Sequence, residues 1–162
     1  MSNDEIERLA ADLGQRLIAR GWRVATAESC TGGLVAGAVT AIAGSSDWFD
    51  RGFVTYSNEA KVESLGVPPA TIAAHGAVSE QTAVAMAKGA LAHSAATIAV
   101  GVTGIAGPGG GTPTKPVGMV CIAWSHRDHD VVVATHQLPG DRAEVRHAAV
   151  AIALRGLIDC VG

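Results

Sequence analysis

The sequence predicts a single three-layer α/β/α domain built on a mixed central sheet, and three observations carry that prediction. Helical and strand patterns alternate through the first two thirds of the chain, strand ends run into glycine turns that feed helices, and two consecutive strand patterns come late. Alternation calls for parallel strands joined by helical crossovers, whereas a late hairpin adds antiparallel strands to the same sheet. A length of 162 residues closes one sizeable core and is too short for two ordinary domains, so one domain is expected over residues 1–162.

Ile6, Leu9, Leu13, Leu17 and Ile18 recur at helical spacing, which predicts a first helix over residues 4–20 with Ser2 and Glu5 spaced as a capping box. Gly21 breaks it, and residues 22–27 read as a short strand entering Ser29-Cys30-Thr31-Gly32-Gly33. Small and apolar residues over 34–43 suit a buried helix that Gly44 ends. Residues 53–57 read as a second strand, and Asn58 then caps a short helix to Leu65 that carries Lys61 in its first turn. A proline-containing connection follows. Ser79 caps a helix to about residue 93, residues 96–103 form a β-branched strand, and residues 104–116 are a glycine- and proline-rich loop. Strands over 117–125 and 131–137 pair through Arg127-Asp128-His129, and Pro139-Gly140-Asp141 introduces a last helix to about residue 160.

Composition narrows the function classes. Hydrophobic residues make up 48%, charged residues 17%, and the formal net charge is −3, which fits neither a disordered chain nor a basic nucleic-acid surface. No uncharged apolar run approaches the ~20 residues that span a bilayer. The polar, acidic first residues carry no apolar signal core, so a soluble, cytoplasmic protein is expected, with no membrane partner. Cys30, Cys121 and Cys160 are odd in number and lack the clustered spacing of zinc sites or disulfide frameworks, which points to reduced thiols. A small anionic ligand would need a local positive site.

In sheets of this kind ligands sit beyond the strand ends, where glycine turns feed helix N-termini. Ser29 stands at such a place, and backbone N–H groups there could stabilise an oxyanion. Spacing alone equally allows Ser29 or Thr31 to be a helix N-cap, and Glu28-Ser29-Cys30 lacks the G-x-S-x-G elbow. A serine nucleophile needs a base, and none of the six histidines lies in a glycine turn beside a strand end. Lys61 is the other candidate, since a lysine in an apolar site can lose its proton; the competing reading is an exposed surface lysine. Cys30 is a rival nucleophile if acidified at a helix N-terminus, or else a small buried packing group. The loop from Gly104 through Gly107 to Thr112 could bring backbone amides to a phosphate or serve as a flexible connection. It is no Walker A loop, because Gly110 and Gly111 stand where Lys and Ser or Thr must follow. Lys115 and Arg142 are the cations best placed locally to complement a phosphate. His126, His129 and His136 are expected to decorate the hairpin rather than bind metal.

Several longer segments now fall together. Ala27-Glu28-Ser29-Cys30-Thr31-Gly32-Gly33, Gly44-Ser45-Ser46, Gly52-Phe53-Val54-Thr55-Tyr56-Ser57-Asn58-Glu59-Ala60-Lys61, His75-Gly76-Ala77-Val78-Ser79, Gly104-Ile105-Ala106-Gly107-Pro108 and Lys115-Pro116-Val117-Gly118 closely resemble the CinA C-terminal domain family. The resemblance runs in one order over residues 6–157. It implies nicotinamide mononucleotide deamidation in pyridine-nucleotide salvage, with a small-molecule nucleotide as the partner and no metal or organic cofactor. Carried over by motif position, Ser29 would be the nucleophile, Lys61 its base and Tyr56 a helper in the same polar cluster. Cys30, Thr31, Gly32, Gly33, Thr103, Gly104 and Gly107 would line the substrate pocket, and Arg142 would contact the ligand. Larger members carry a further N-terminal domain resembling molybdopterin-binding proteins, so this chain is expected to be a stand-alone version.

A catalytically silent module that binds a nucleotide as a sensor or interaction partner would use the same glycine loops, and an amidase for another small carboxamide is a third reading. The resemblance and the apolar surplus of a small chain also imply a homo-oligomer, most simply a dimer. Light scattering is expected to return twice the 16.4 kDa chain mass, and a monomer at working concentration would overturn that expectation.

Overall fold

In the computed structural model, which describes residues 2–162, five strands pair into one sheet: β1 (Val24–Glu28), β2 (Phe49–Val54), β3 (Ile98–Gly104), β4 (Met119–His126) and β5 (Val132–Gln137). Their order is β2-β1-β3-β4-β5, with β2, β1 and β3 parallel and β4 and β5 antiparallel. The central strands are buried on both faces, as crossovers require, and β1 is buried along its whole length. Six α-helices complete the fold: α1 (Asn3–Arg20), α2 (Leu34–Thr40), α3 (Asn58–Leu65), α4 (Pro69–His75), α5 (Glu80–Ala92) and α6 (Arg142–Val161). The three-layer mixed-sheet architecture is the one that the sequence predicts.

Strand alternation sorts the core into two halves. Val24 of β1, Ile98, Val100 and Val102 of β3, and Val120, Ile122 and Trp124 of β4 pack with α1, α2 and α6. Ala25, Ala27 and Ala99 point the other way, against Leu65 of α3 and Met86 and Ala90 of α5. The chain leaves β1 through α2 on one face and returns to β3 through α5 on the other. The strand order therefore reverses between β1 and β3, and their carboxyl ends open a crevice suited to a ligand.

Local boundaries differ from the sequence expectations for identifiable reasons. Ser2 caps α1 by accepting the Glu5 N–H, but Glu5 does not close a capping box, because its carboxylate pairs with Arg155 of α6 at 2.6 Å. β1 begins at Val24 rather than residue 22, and α2 ends at Thr40 rather than 43. β2 spans Phe49–Val54, not 53–57; as an edge strand carrying Asp50, Arg51 and Gly52 it lacks the apolar alternation that marks a half-buried strand. The cap of α3 is Ser57, whose hydroxyl accepts the Ala60 N–H, and not Asn58. The proline connection contains α4, with Pro69 in its first turn, where a missing N–H costs nothing. Residues 117 and 118 precede β4.

Gly89 shows how tightly α3 is seated. A Cβ at this position of α5 would lie 2.1 Å from the carbonyl oxygen of Leu65, the last residue of α3. Alanine is preferred over glycine inside a helix by ~1 kcal/mol, yet overpacking costs ~1–3 kcal/mol, so the clash wins. Gly89→Ala is therefore expected to lower the urea midpoint and, because α3 carries Lys61, to reduce any activity that depends on that residue. A midpoint equal to or above wild type would show that α3 has room to move.

Candidate active site

The turn after β1 begins with a buried charge. Glu28 is fully buried, and its side chain accepts the Thr31 hydroxyl at 2.6 Å and the N–H groups of Val35 and Ala36 at 2.8 and 3.1 Å. These donors are the otherwise unpaired first N–H groups of α2, so Glu28 does the work of an N-cap from the strand end. Gly33 is the formal cap and offers no side chain. The N-cap reading of Ser29 and Thr31 is thereby overturned. Gly32 and Gly33 turn the chain with φ of 57° and 101°, which side chains rarely adopt.

Alternation then separates the next two side chains. Cys30 shares parity with Glu28 and packs into the core half of α2 and α6. Burial pushes its thiol up to about 11, with the nearby Glu28 charge adding to the effect, so little thiolate exists near neutral pH. Ser29 shares parity with Ala25 and Ala27 and faces the α3 side. There its Oγ lies 3.0 Å from Lys61 Nζ. The serine is 8% exposed and the lysine 1%.

Lys61 is thus no surface lysine. Its amine also donates to the Thr55 carbonyl at 3.0 Å, and among the described residues no carboxylate lies within ion-pair distance of it. Burial without a counter-charge holds its pKa below the ordinary lysine value, opposed only by the neighbouring Cys30 thiol. A neutral amine has one lone pair and two N–H groups, which matches one hydroxyl offered by Ser29 and one carbonyl acceptor.

The Tyr56 hydroxyl bonds neither member of this pair. Tyr56 is 61% exposed, and its hydroxyl accepts Arg142 Nη2 at 2.8 Å. Arg142 also donates Nη1 to the Gly107 carbonyl at 2.8 Å, so the first residue of α6 ties the β2–α3 turn to the glycine loop. A cavity of about 610 Å³ adjoins this tie, lined by Ala106, Pro108, Val117, Gly140, Asp141, Arg142 and Ala143; neither Ser29 nor Lys61 lines it. Gly104 at the end of β3 sits over Cys30, where a Cβ would lie 3.1 Å from Sγ. Thr103 is buried and donates to the Ala77 carbonyl at 2.7 Å, which leaves its hydroxyl a structural tie. Lys115 bonds the His75 carbonyl and so ties its loop to the end of α4.

Sequence reasoning passed over two residues. Glu28 is betrayed only by a carboxylate standing at the end of an apolar strand. Arg146 of α6 is the second; it lies one turn after Arg142 and donates to the carbonyls of Cys30 at 3.1 Å and Thr31 at 3.5 Å.

Removing the Glu28 carboxylate would strand one buried and one half-buried N–H group. Glu28→Ala is expected to destabilise the protein by about 3 kcal/mol in urea unfolding, and Glu28→Gln, which keeps one oxygen acceptor, by less. Equal stability of Glu28→Ala and wild type would mean that α2 is capped by other means.

The CinA C-terminal domain model matches residues 6–161. The chain is 52% identical to "Nicotinamide-nucleotide amidohydrolase PncC" of Enterobacter agglomerans, over 96% of this chain and 94% of that one. It is also 52% identical to the protein of the same name from Escherichia coli K12, over 97% and 95%. Among solved structures, the competence/damage inducible protein CihA from Agrobacterium tumefaciens superposes with a TM-score of 0.94 at 52% identity, over 96% of this chain and 94% of that one. A CinA superfamily protein from Klebsiella pneumoniae superposes with a TM-score of 0.92 at 40% identity, over 96% and 97%. Matched by the family model along nearly its whole length and by relatives that share half its residues, the chain belongs to the CinA C-terminal domain family.

Proposed function

We propose that the protein hydrolyses the carboxamide of nicotinamide mononucleotide, giving nicotinic acid mononucleotide and ammonia, as a step of pyridine-nucleotide salvage. The observation that carries this reading is the buried Ser29–Lys61 pair at 3.0 Å, in a chain whose relatives are named for this reaction. Neutral Lys61 takes the Ser29 proton as Oγ attacks the carboxamide carbon. The resulting tetrahedral intermediate expels ammonia, which leaves with the proton that Lys61 returns. Lys61 then deprotonates water, whose oxygen attacks the acyl-serine ester, and Ser29 Oγ departs with that proton.

The other groups bind. Arg142 and Tyr56 stand at the mouth, where the cation meets the phosphate, and Thr31, Gly32, Gly33, Gly104 and Gly107 supply backbone to the walls. Thr103 acts from behind, holding the wall in place. Neither metal nor organic cofactor enters this scheme. Cys30 serves as packing, consistent with a thiol that burial keeps protonated.

Purified protein is expected to release ammonia from nicotinamide mononucleotide even in chelator, and to prefer it strongly over free nicotinamide. Binding in a calorimeter with no product would favour a silent sensor instead. Ser29→Ala and Lys61→Arg should each lose ~10²- to 10⁴-fold in turnover while Cys30→Ala stays within a few-fold. Arginine keeps the charge and stays protonated at any usable pH. The sign of the pH dependence follows from Lys61. Its neutral form is the active one, so the rate should climb as pH rises through its depressed pKa and then level off. Folded Lys61→Arg with near-wild-type turnover would refute the mechanism.

A further inference from the structure

The turn that carries Ser29 is held from behind by a side chain outside the scheme above. Arg146 reaches from α6 to the carbonyls of Cys30 and Thr31, donating Nε to the first at 3.1 Å and Nη2 to the second at 3.5 Å. It sits directly under the turn, since a Cβ on Gly32 would come within 3.3 Å of Nη2. Among the described residues Arg146 pairs with no carboxylate.

A trans peptide is planar, so its N–H points opposite to its C=O. With the Cys30 carbonyl drawn toward Arg146, the N–H of Thr31 is aimed away from α6. Five neighbouring donors are engaged: Ser29 N–H with Val102, Gly32 N–H with Ser29, Leu34 N–H with Thr31, and Val35 and Ala36 N–H with Glu28. The Cys30 and Gly33 N–H groups also bond no carbonyl among the described residues, but neither belongs to a peptide whose carbonyl Arg146 holds. The Thr31 N–H has no acceptor among the described residues, and its own hydroxyl is taken by Glu28. An uncompensated guanidinium on the carbonyl side also polarises this peptide, which strengthens its N–H as a donor.

We infer that Arg146 is a positioning residue for the reaction: by clamping the Cys30 and Thr31 carbonyls it fixes and polarises the Thr31 N–H as a donor to the oxygen that becomes negative when Ser29 attacks. The inference rests on the Ser29 reading given above. A donor of this kind acts on the transition state and hardly on the bound substrate, so its loss lowers kcat and leaves KM nearly alone.

The test measures kcat and KM for nicotinamide mononucleotide in wild type, Arg146→Ala, Arg146→Lys and Arg146→Gln, with circular dichroism as the check on folding. It adds the rate at which each protein is labelled by a fluorophosphonate, whose phosphoryl oxygen would take the place of the oxyanion on Ser29. Complete loss of one such donor costs ~10²- to 10³-fold. A loosened one should cost Arg146→Ala about 10- to 100-fold in kcat and in labelling rate, with KM within about threefold. Arg146→Lys should recover part of this, and so should free guanidinium added to Arg146→Ala. If the alanine variant fails to fold, the order wild type, Lys, Gln in kcat at constant KM bears the prediction. A rise in KM at constant kcat would overturn it, making Arg146 a direct substrate contact, and unchanged kcat and labelling would overturn it outright. Wild-type protein that neither releases ammonia nor takes the label would instead refute the Ser29 reading, and the inference with it.

Discussion

A carboxylate with no access to water sits at the carboxyl end of the central strand β1, and the local structure around it follows from how its oxygens are satisfied. Burying a charge is costly unless strong donors surround it. Glu28 finds one hydroxyl and two helix N–H groups, and those donors exist only if the chain turns sharply at Gly32 and Gly33 and starts α2 at once. One polar requirement therefore dictates the turn, the start of the helix and the place of Ser29.

On the opposite side of the same turn, a second ionisable group is buried under different terms. Among the described residues Lys61 has only neutral partners, the Ser29 hydroxyl and the Thr55 carbonyl. Without an anion to repay its desolvation, the amine is pushed toward its neutral form, in which it can accept a proton. Glu28 and Lys61 lie on opposite faces of the sheet, so the carboxylate that builds the turn does not pair with the amine and keep it charged. The alternation of β1 enforces that separation.

The third contribution comes from α6, far away in sequence. Its Asp141 capping box fixes where the helix begins, and hence where Arg142 and Arg146 project one turn apart along it. Arg142 ties Tyr56 to Gly107 while Arg146 grips the turn. Among the described residues neither arginine pairs with a carboxylate, in a chain whose net charge is −3.

The layered fold, the glycine turn bearing Ser29, Lys61 in the first turn of a short helix and the late hairpin were all legible in the sequence, because each is written in local spacing and in glycine positions. So was the family, through long motifs in one order. The edge strand β2 and the helix α4 were not, since charged residues and prolines mask their patterns while pairing and packing sustain them. The sequence by itself determined which residue types stand at the strand ends. Only the tertiary structure decided that Lys61 is buried against a serine 32 positions away, that Cys30 points into the core, that Lys115 ties its loop to the end of α4, and that Glu28 and Arg146 hold the turn from two sides. The physical reason is that burial and the pairing of distant polar groups depend on which layers meet, and local periodicity carries no record of that meeting.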